Sequence, residues 1–232
     1  MASPTAFEPA LIVVDVQEDF CPPNGALAVP HGRSILNTVN TLLGYPFIFK
    51  IATKDWHPAG HISFASSHPG AEPFTSFATI TNPSNPSEKY ESRLWPDHCI
   101  QGTPGAELVQ NLELSKVDKV LEKGQTKEVE MYSAFYPPLT APRVSDSGLS
   151  ALLKAKGVTD VYVVGLAADY CVAATAEDAI KEGFRAWIVE EGTRAVEVEK
   201  WEEKVKELEG KGVRVVSVEG EEVERVRSNT KA

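Results

Sequence analysis

The sequence predicts an α/β protein: a three-layer α/β/α arrangement around a central six-stranded, mainly parallel sheet. Two observations point there. Short apolar runs rich in Val and Ile alternate along the chain with segments of helical period. Alternation of this kind demands right-handed crossovers, which lay the strands parallel and cover both faces of the sheet. With 232 residues, 42% of them hydrophobic, the chain can bury one substantial core. A single domain over residues 1–232 is therefore expected, its core spanning about 10–218.

In order, Ala10 to Val16 is a continuous apolar run that carries Asp15 at its carboxyl end. Pro22-Pro-Asn-Gly25 reads as a turn. His31 to Leu43 has Ile35, Leu36, Val39, Leu42 and Leu43 at helical spacing, and Phe47 to Thr53 is a second strand leading into Lys54-Asp-Trp-His57. Residues 58–105 read as one long loop, rich in Pro, Ser, His and Gly; loops of such length are functional or disordered, and its aromatics and histidines favour function. Ala106 to Leu112 is expected as a short helix, Lys119 to Glu122 as a third strand, and 125–147 as irregular.

Gly148 to Lys156 reads as a helix closed by Gly157. The stretch that follows is the organising one: Val161 to Val164 is a buried strand, Gly165 breaks it, and a helical pattern begins near Cys171. Arg185 to Val189 is a fifth strand, Glu197 to Leu208 a charged helix and Val213 to Val218 a sixth strand. From about Glu219 to residue 232 the chain reads as a charged, poorly ordered tail.

A formal net charge of −10 argues against nucleic acid or an anionic membrane as partner. Cys21, Cys99 and Cys171 are odd in number, far apart and without C-x-x-C spacing, which suits a reducing compartment. No basic, then apolar, leader opens the sequence and no apolar run reaches transmembrane length. The expectation is an intracellular, cytoplasmic protein, with nuclear or peroxisomal residence left open.

In open parallel sheets, ligands bind beyond the carboxyl ends of the strands. Four expected strands end there in chemistry: Asp15, the Asp55/His57 pair, Lys123 and the Gly165–Cys171 turn. A thiol at a helix start faces free N–H groups and the positive end of the dipole, which lower its pKa and can hold an oxyanion. A carboxylate such as Asp15 can serve it as base and then as acid, and Lys123 can keep that carboxylate ionised. Taken singly, Cys171 is equally a small buried hydrophobe, Asp15 a strand-end turn residue and Lys123 a solvated lysine.

Asp55 and His57 face one side of an extended segment, since side chains alternate with period two. With His98 from the loop they make a carboxylate-and-two-imidazole set suited to zinc or another first-row divalent ion. His61, Ser63 and His68 are further candidates. Phe20, Trp95, Tyr132, Phe135 and Tyr170 could wall a pocket for a flat ring, although core packing claims Phe135.

Val13-Val-Asp15-Val-Gln-Glu-Asp-Phe20, Lys54-Asp-Trp-His-Pro-Ala-Gly-His61, Trp95-Pro-Asp-His98, Lys123-Gly124 with Tyr132-Ser-Ala-Phe135, and Val164-Gly-Leu-Ala-Ala-Asp-Tyr-Cys-Val172 together resemble the nicotinamidases of the isochorismatase-like hydrolase superfamily. The likeness runs over about residues 10–218, and the long segment before Trp95 resembles the fungal type. The resemblance implies an isochorismatase-like, Rossmann-like fold and hydrolysis of nicotinamide to nicotinate and ammonia through a cysteine thioester. It implies Cys171 as nucleophile, Asp15 as general acid/base and Lys123 as its charge partner. Asp55, His57 and His98 would hold the metal, usually zinc, with Ser63 or His61 as a further ligand in some members. The backbone N–H groups of Ala167 and Cys171 would form the oxyanion hole, with a cis peptide at Leu166-Ala167. Phe20, Trp95 and Tyr170 match pocket aromatics. Homo-oligomerisation is left open. Two other readings stand beside this one: an amidase for another small amide, of N-carbamoyl or pyrazinamide-like type, and a non-catalytic binding protein of the same fold.

Overall fold

The computed structural model describes residues 6–229. In chain order its strands are β1 (Pro9–Val14), β2 (Phe49–Asp55), β3 (Phe77–Asn82), β4 (Asn85–Arg93), β5 (Lys119–Lys123), β6 (Asp160–Leu166), β7 (Arg185–Arg194) and β8 (Arg214–Val216). Its α-helices are α1 (Leu36–Leu43), α2 (Leu149–Ala155), α3 (Ala173–Lys181), α4 (Trp201–Gly210) and α5 (Glu221–Arg227).

Six strands form one sheet in the order β5-β2-β1-β6-β7-β8, with every neighbouring pair parallel. The central strand β1 is buried along its whole length, as continuous apolar strands of covered parallel sheets are. Its side chains alternate between two cores. Leu11 and Val13 join Val39, Leu42 and Leu43 of α1 and Val223 and Val226 of α5. Ala10, Ile12 and Val14 join Leu149 and Leu153 of α2, Ala173, Ala176 and Ala179 of α3, and Leu208 of α4. The three-layer architecture expected from the sequence is present, and its sheet is wholly parallel.

Gly165 lets β6 lie against β1. Its φ is +114°, and a Cβ there would fall 2.0 Å from the Val14 carbonyl oxygen, so any side chain would force the two strands apart. β6 then leads through a turn of π-helix, Ala168–Val172, into α3.

Three expectations fail. Residues 58–105 are not all loop, because β3 and β4 pair there as an antiparallel hairpin. Its largely polar, outward-facing residues and the nearby Pro83 and Pro86 hide the alternation that marks a strand. Ala106 to Leu112 is no α-helix. Ala106, Val109 and Leu112 are buried at helical spacing, but the backbone pairs instead with the chain leaving β1, Val109 N–H donating to Val16 O at 3.0 Å. Thirdly, the chain beyond 219 is not a disordered tail as far as 229. α5 buries Val223 and Val226 on the sheet, and its Glu222 carbonyl accepts the Tyr162 hydroxyl at 2.8 Å. The last expected tail residues, 230–232, lie outside the described residues. Among the described residues no helix is long and apolar enough to cross a membrane.

Candidate active site

The carboxyl ends of β1, β2, β5 and β6 converge on one rim, and Lys123 is its hub. Asp55 and Lys123 are register partners across β2 and β5, and Lys123 Nζ lies 2.5 Å from Asp55 Oδ1. The same ammonium lies 3.0 Å from Asp15 Oδ2 and 3.6 Å from Cys171 Sγ, and donates to the Met131 carbonyl at 3.1 Å. Ligand atoms of Asp15, Asp55 and Cys171 all lie within 4.8 Å of one another. Asp15 leaves β1 in the left-handed region, φ 47°, a conformation that surrounding contacts must hold for a non-glycine residue. Thr53 does so twice: its oxygen accepts the Asp15 N–H at 3.1 Å, and its hydroxyl donates to Asp15 Oδ1 at 2.6 Å.

Burial raises the Asp15 pKa to about 6, Lys123 working against the rise. Burial also works against Asp55 ionising, but Lys123 and His57 outweigh it and hold Asp55 well below the usual carboxylate range. For Lys123, burial is outweighed by Asp15 and Asp55, and the ammonium is firmly charged. Cys171 departs from the expectation of a thiolate at a helix start. Burial pushes its thiol well up, only partly countered by Lys123. That direction favours the neutral thiol over the thiolate.

Beside this trio, ligand atoms of Asp55, His57 and His98 lie within 4.8 Å of one another, all three residues buried. Both imidazoles are fixed by backbone carbonyls, His57 Nδ1 at 2.8 Å from Gly124 O and His98 Nδ1 at 2.8 Å from Pro96 O. That arrangement keeps the proton on Nδ1 and leaves Nε2 as a lone-pair donor. His57 Nε2 is buried without a hydrogen-bond partner and lies 3.6 Å from Asp55 Oδ2. An orphaned buried nitrogen beside a carboxylate oxygen is what a metal site presents without its ion, and the three residues fit a divalent metal. Gly124 makes the room: its φ is +68°, and a Cβ would sit 2.5 Å from His57 Cε1.

His61 and Ser63 close on each other instead. His61 Nδ1 is 2.7 Å from Ser63 Oγ, and Nε2 is 3.2 Å from the Val129 carbonyl; both ring nitrogens are taken. Burial and the neighbouring His57 lower His61 to about 4. His68 is tied to the Ile62 carbonyl at 2.7 Å.

A cavity opens beside Cys171, Asp55 and His98, lined also by Phe20, Trp95, Tyr132, Tyr170 and Ala167 among others. Trp95 and Tyr170 meet edge to face, centroids 4.8 Å apart, and Trp95 Nε1–H donates to the Tyr132 hydroxyl at 3.0 Å. Phe135 is core, stacked on Phe184. The Leu166–Ala167 peptide is cis, as expected. Leu27, Val29, Val196 and Glu130 also line the cavity and carry no sequence signal, standing in no motif and on no strand end.

Residues 9–220 match the isochorismatase domain family. A nicotinamidase of Acinetobacter baylyi is 42% identical over 189 residues, 82% of this chain and 82% of its own length. The crystal structure of the yeast nicotinamidase bound to the inhibitor nicotinaldehyde superposes with a TM-score of 0.83 at 32% identity, covering 90% of this chain and 99% of that one. A Pyrococcus horikoshii pyrazinamidase in complex with zinc has a TM-score of 0.67 at 34% identity, covering 90% and 99%. With the match spanning the sheet and its rim from end to end, the chain belongs to the isochorismatase family.

Proposed function

We propose that the protein is a nicotinamidase, hydrolysing nicotinamide to nicotinate and ammonia and so feeding NAD salvage. One observation carries the reading. A buried ammonium, Lys123, touches both the Asp15 carboxylate and the Cys171 thiol, and Cys171 lines the same aromatic-walled cavity as Asp55 and His98 of a three-residue metal donor set. Nicotinamidase relatives and a nicotinaldehyde-bound structural neighbour support the choice of substrate.

Cys171 Sγ attacks the carboxamide carbon as its proton passes to Asp15, whose raised pKa suits both taking and returning a proton near neutrality. The backbone N–H groups of Ala167 and Cys171 hold the developing oxyanion. Asp15 then protonates the departing nitrogen, and ammonia leaves a thioester on Cys171. Asp15 next takes a proton from water as the water oxygen attacks the thioester carbon; the C–S bond breaks, Asp15 returns that proton to sulfur, and the acid loses its remaining proton to solvent as nicotinate leaves. Lys123 holds Asp15 ionised between these steps and stabilises the thiolate. Phe20, Trp95 and Tyr170 wall the cavity that takes the ring. Asp55, His57 and His98 would hold a divalent ion, zinc by their mixed nitrogen and oxygen donors and by the zinc-bound neighbour, which when bound supplies an electrophilic contact that orients the pyridine nitrogen.

The test is ammonia release from nicotinamide by zinc-supplied protein, beside Cys171→Ala and an aliphatic amide. Release by the wild type alone, and only from the pyridine carboxamide, is expected. Absence of release from nicotinamide by folded wild type would overturn the assignment.

A further inference from the structure

Glu130 is buried at 2% exposure and lines the cavity together with Asp55, His98 and Cys171. The mechanism above gives it no task. Its side chain accepts one hydrogen bond among the described residues, from the Met131 N–H at 2.8 Å, and no lysine or arginine there pairs with it. The segment that carries it is anchored from both sides. Its own carbonyl accepts the Tyr90 hydroxyl at 2.7 Å from the β3–β4 hairpin, and the next carbonyl, of Met131, accepts Lys123.

A buried carboxylate without a cation is unfavourable unless positive charge stands close by. Asp55 and Glu130 line the cavity and Asp15 meets Lys123 behind its wall, so three carboxylates stand against one ammonium, and a divalent ion on the donor set would bring the group to neutrality. An uncharged carboxamide leaves that balance intact. The carboxylate made from it adds a negative charge with nothing to offset it.

We propose that Glu130 determines specificity for uncharged amides over carboxylic acids, holding the metal-loaded cavity at neutrality so that the carboxylate product is expelled. This rests on the nicotinamidase reading and on the metal the donor set fits. Glu130→Gln keeps an acceptor for the Met131 N–H and removes only the charge, whereas Glu130→Asp keeps the charge.

The experiment is equilibrium titration of nicotinate into zinc-saturated wild type, Glu130→Gln and Glu130→Asp, set against the KM for nicotinamide of each. The ratio of nicotinate Kd to nicotinamide KM should fall about tenfold in Glu130→Gln and recover in Glu130→Asp. Glu130→Ala, which removes the charge by another route, should shift the ratio in the same direction. An unchanged ratio in Glu130→Gln, or Glu130→Asp matching Glu130→Gln, would overturn the proposal while leaving the nicotinamidase reading in place. A wild type that neither hydrolyses nicotinamide nor binds nicotinate would instead remove that reading.

Discussion

The two walls of the cavity are built differently. Asp15, Asp55, Lys123 and Cys171 stand at or just beyond strand ends, held by the register of a parallel sheet and by direct contact with one another. Trp95, His98, Glu130 and Tyr132 come from irregular backbone, placed by separate hydrogen bonds to carbonyls, hydroxyls and the hairpin. The sheet wall gathers charges whose mutual interactions are strong and coupled. The loop wall adjusts shape, polarity and fit through contacts of ordinary size. The proposed mechanism thus puts chemistry on the sheet wall and selectivity on the loop wall, the usual division between scaffold and loop.

Replacing the hub tests the first half of that contrast most severely. Lys123→Met leaves Asp15 and Asp55 buried without their ammonium, and kcat/KM should fall about 1,000-fold or more. Stability should drop by about 3–5 kcal/mol, read by thermal or urea unfolding. A loss under tenfold would mean that the sheet wall is not the coupled unit described.

A smaller effect should come from pH. In the proposed mechanism Asp15 must be ionised to accept the thiol proton, and burial lifts its pKa to about 6. kcat/KM for nicotinamide should therefore be flat above that value and fall about tenfold per pH unit below it. A profile flat down to pH 4.5 would remove Asp15 as the base.

The smallest effect belongs to the loop wall. Tyr132→Phe removes the hydroxyl that meets Trp95 Nε1 at 3.0 Å and Ser92 Oγ at 3.1 Å. It should raise KM by about fivefold, the equivalent of one hydrogen bond of about 1 kcal/mol, with kcat little changed. A large fall in kcat would place this wall in the chemistry and erase the distinction.

What could be read in the sequence follows the same divide. The Ala10–Val16 and Val161–Val164 runs announce buried strands because both their faces are covered, and charged residues at strand ends mark the rim. β3 and β4 escaped because a two-stranded, mostly exposed hairpin has little apolar alternation to show. α5 escaped because only Val223 and Val226 of its seven residues are buried, too few to set a period against its charges. Residues 106–112 misled by the reverse route, a helical spacing of buried side chains on backbone that pairs elsewhere. His98 was found by chemistry and resemblance. Glu130 could not be found by either, since its meaning lies in which charges surround it after folding.

The sheet order carries a consequence for assembly. Strands β1 and β6 lie side by side, yet Val14 and its partner Gly165 are about 150 residues apart along the chain. β1 therefore waits through synthesis of two layers' worth of chain for its second neighbour, with only β2 beside it. Non-local pairing of this kind is slow and leaves an apolar strand edge open in the meantime. Cys171, the nucleophile of the proposed mechanism, follows β6 by five residues. A nascent chain that has not yet made β6 therefore has not made Cys171 either, while β7 and β8 are still to come.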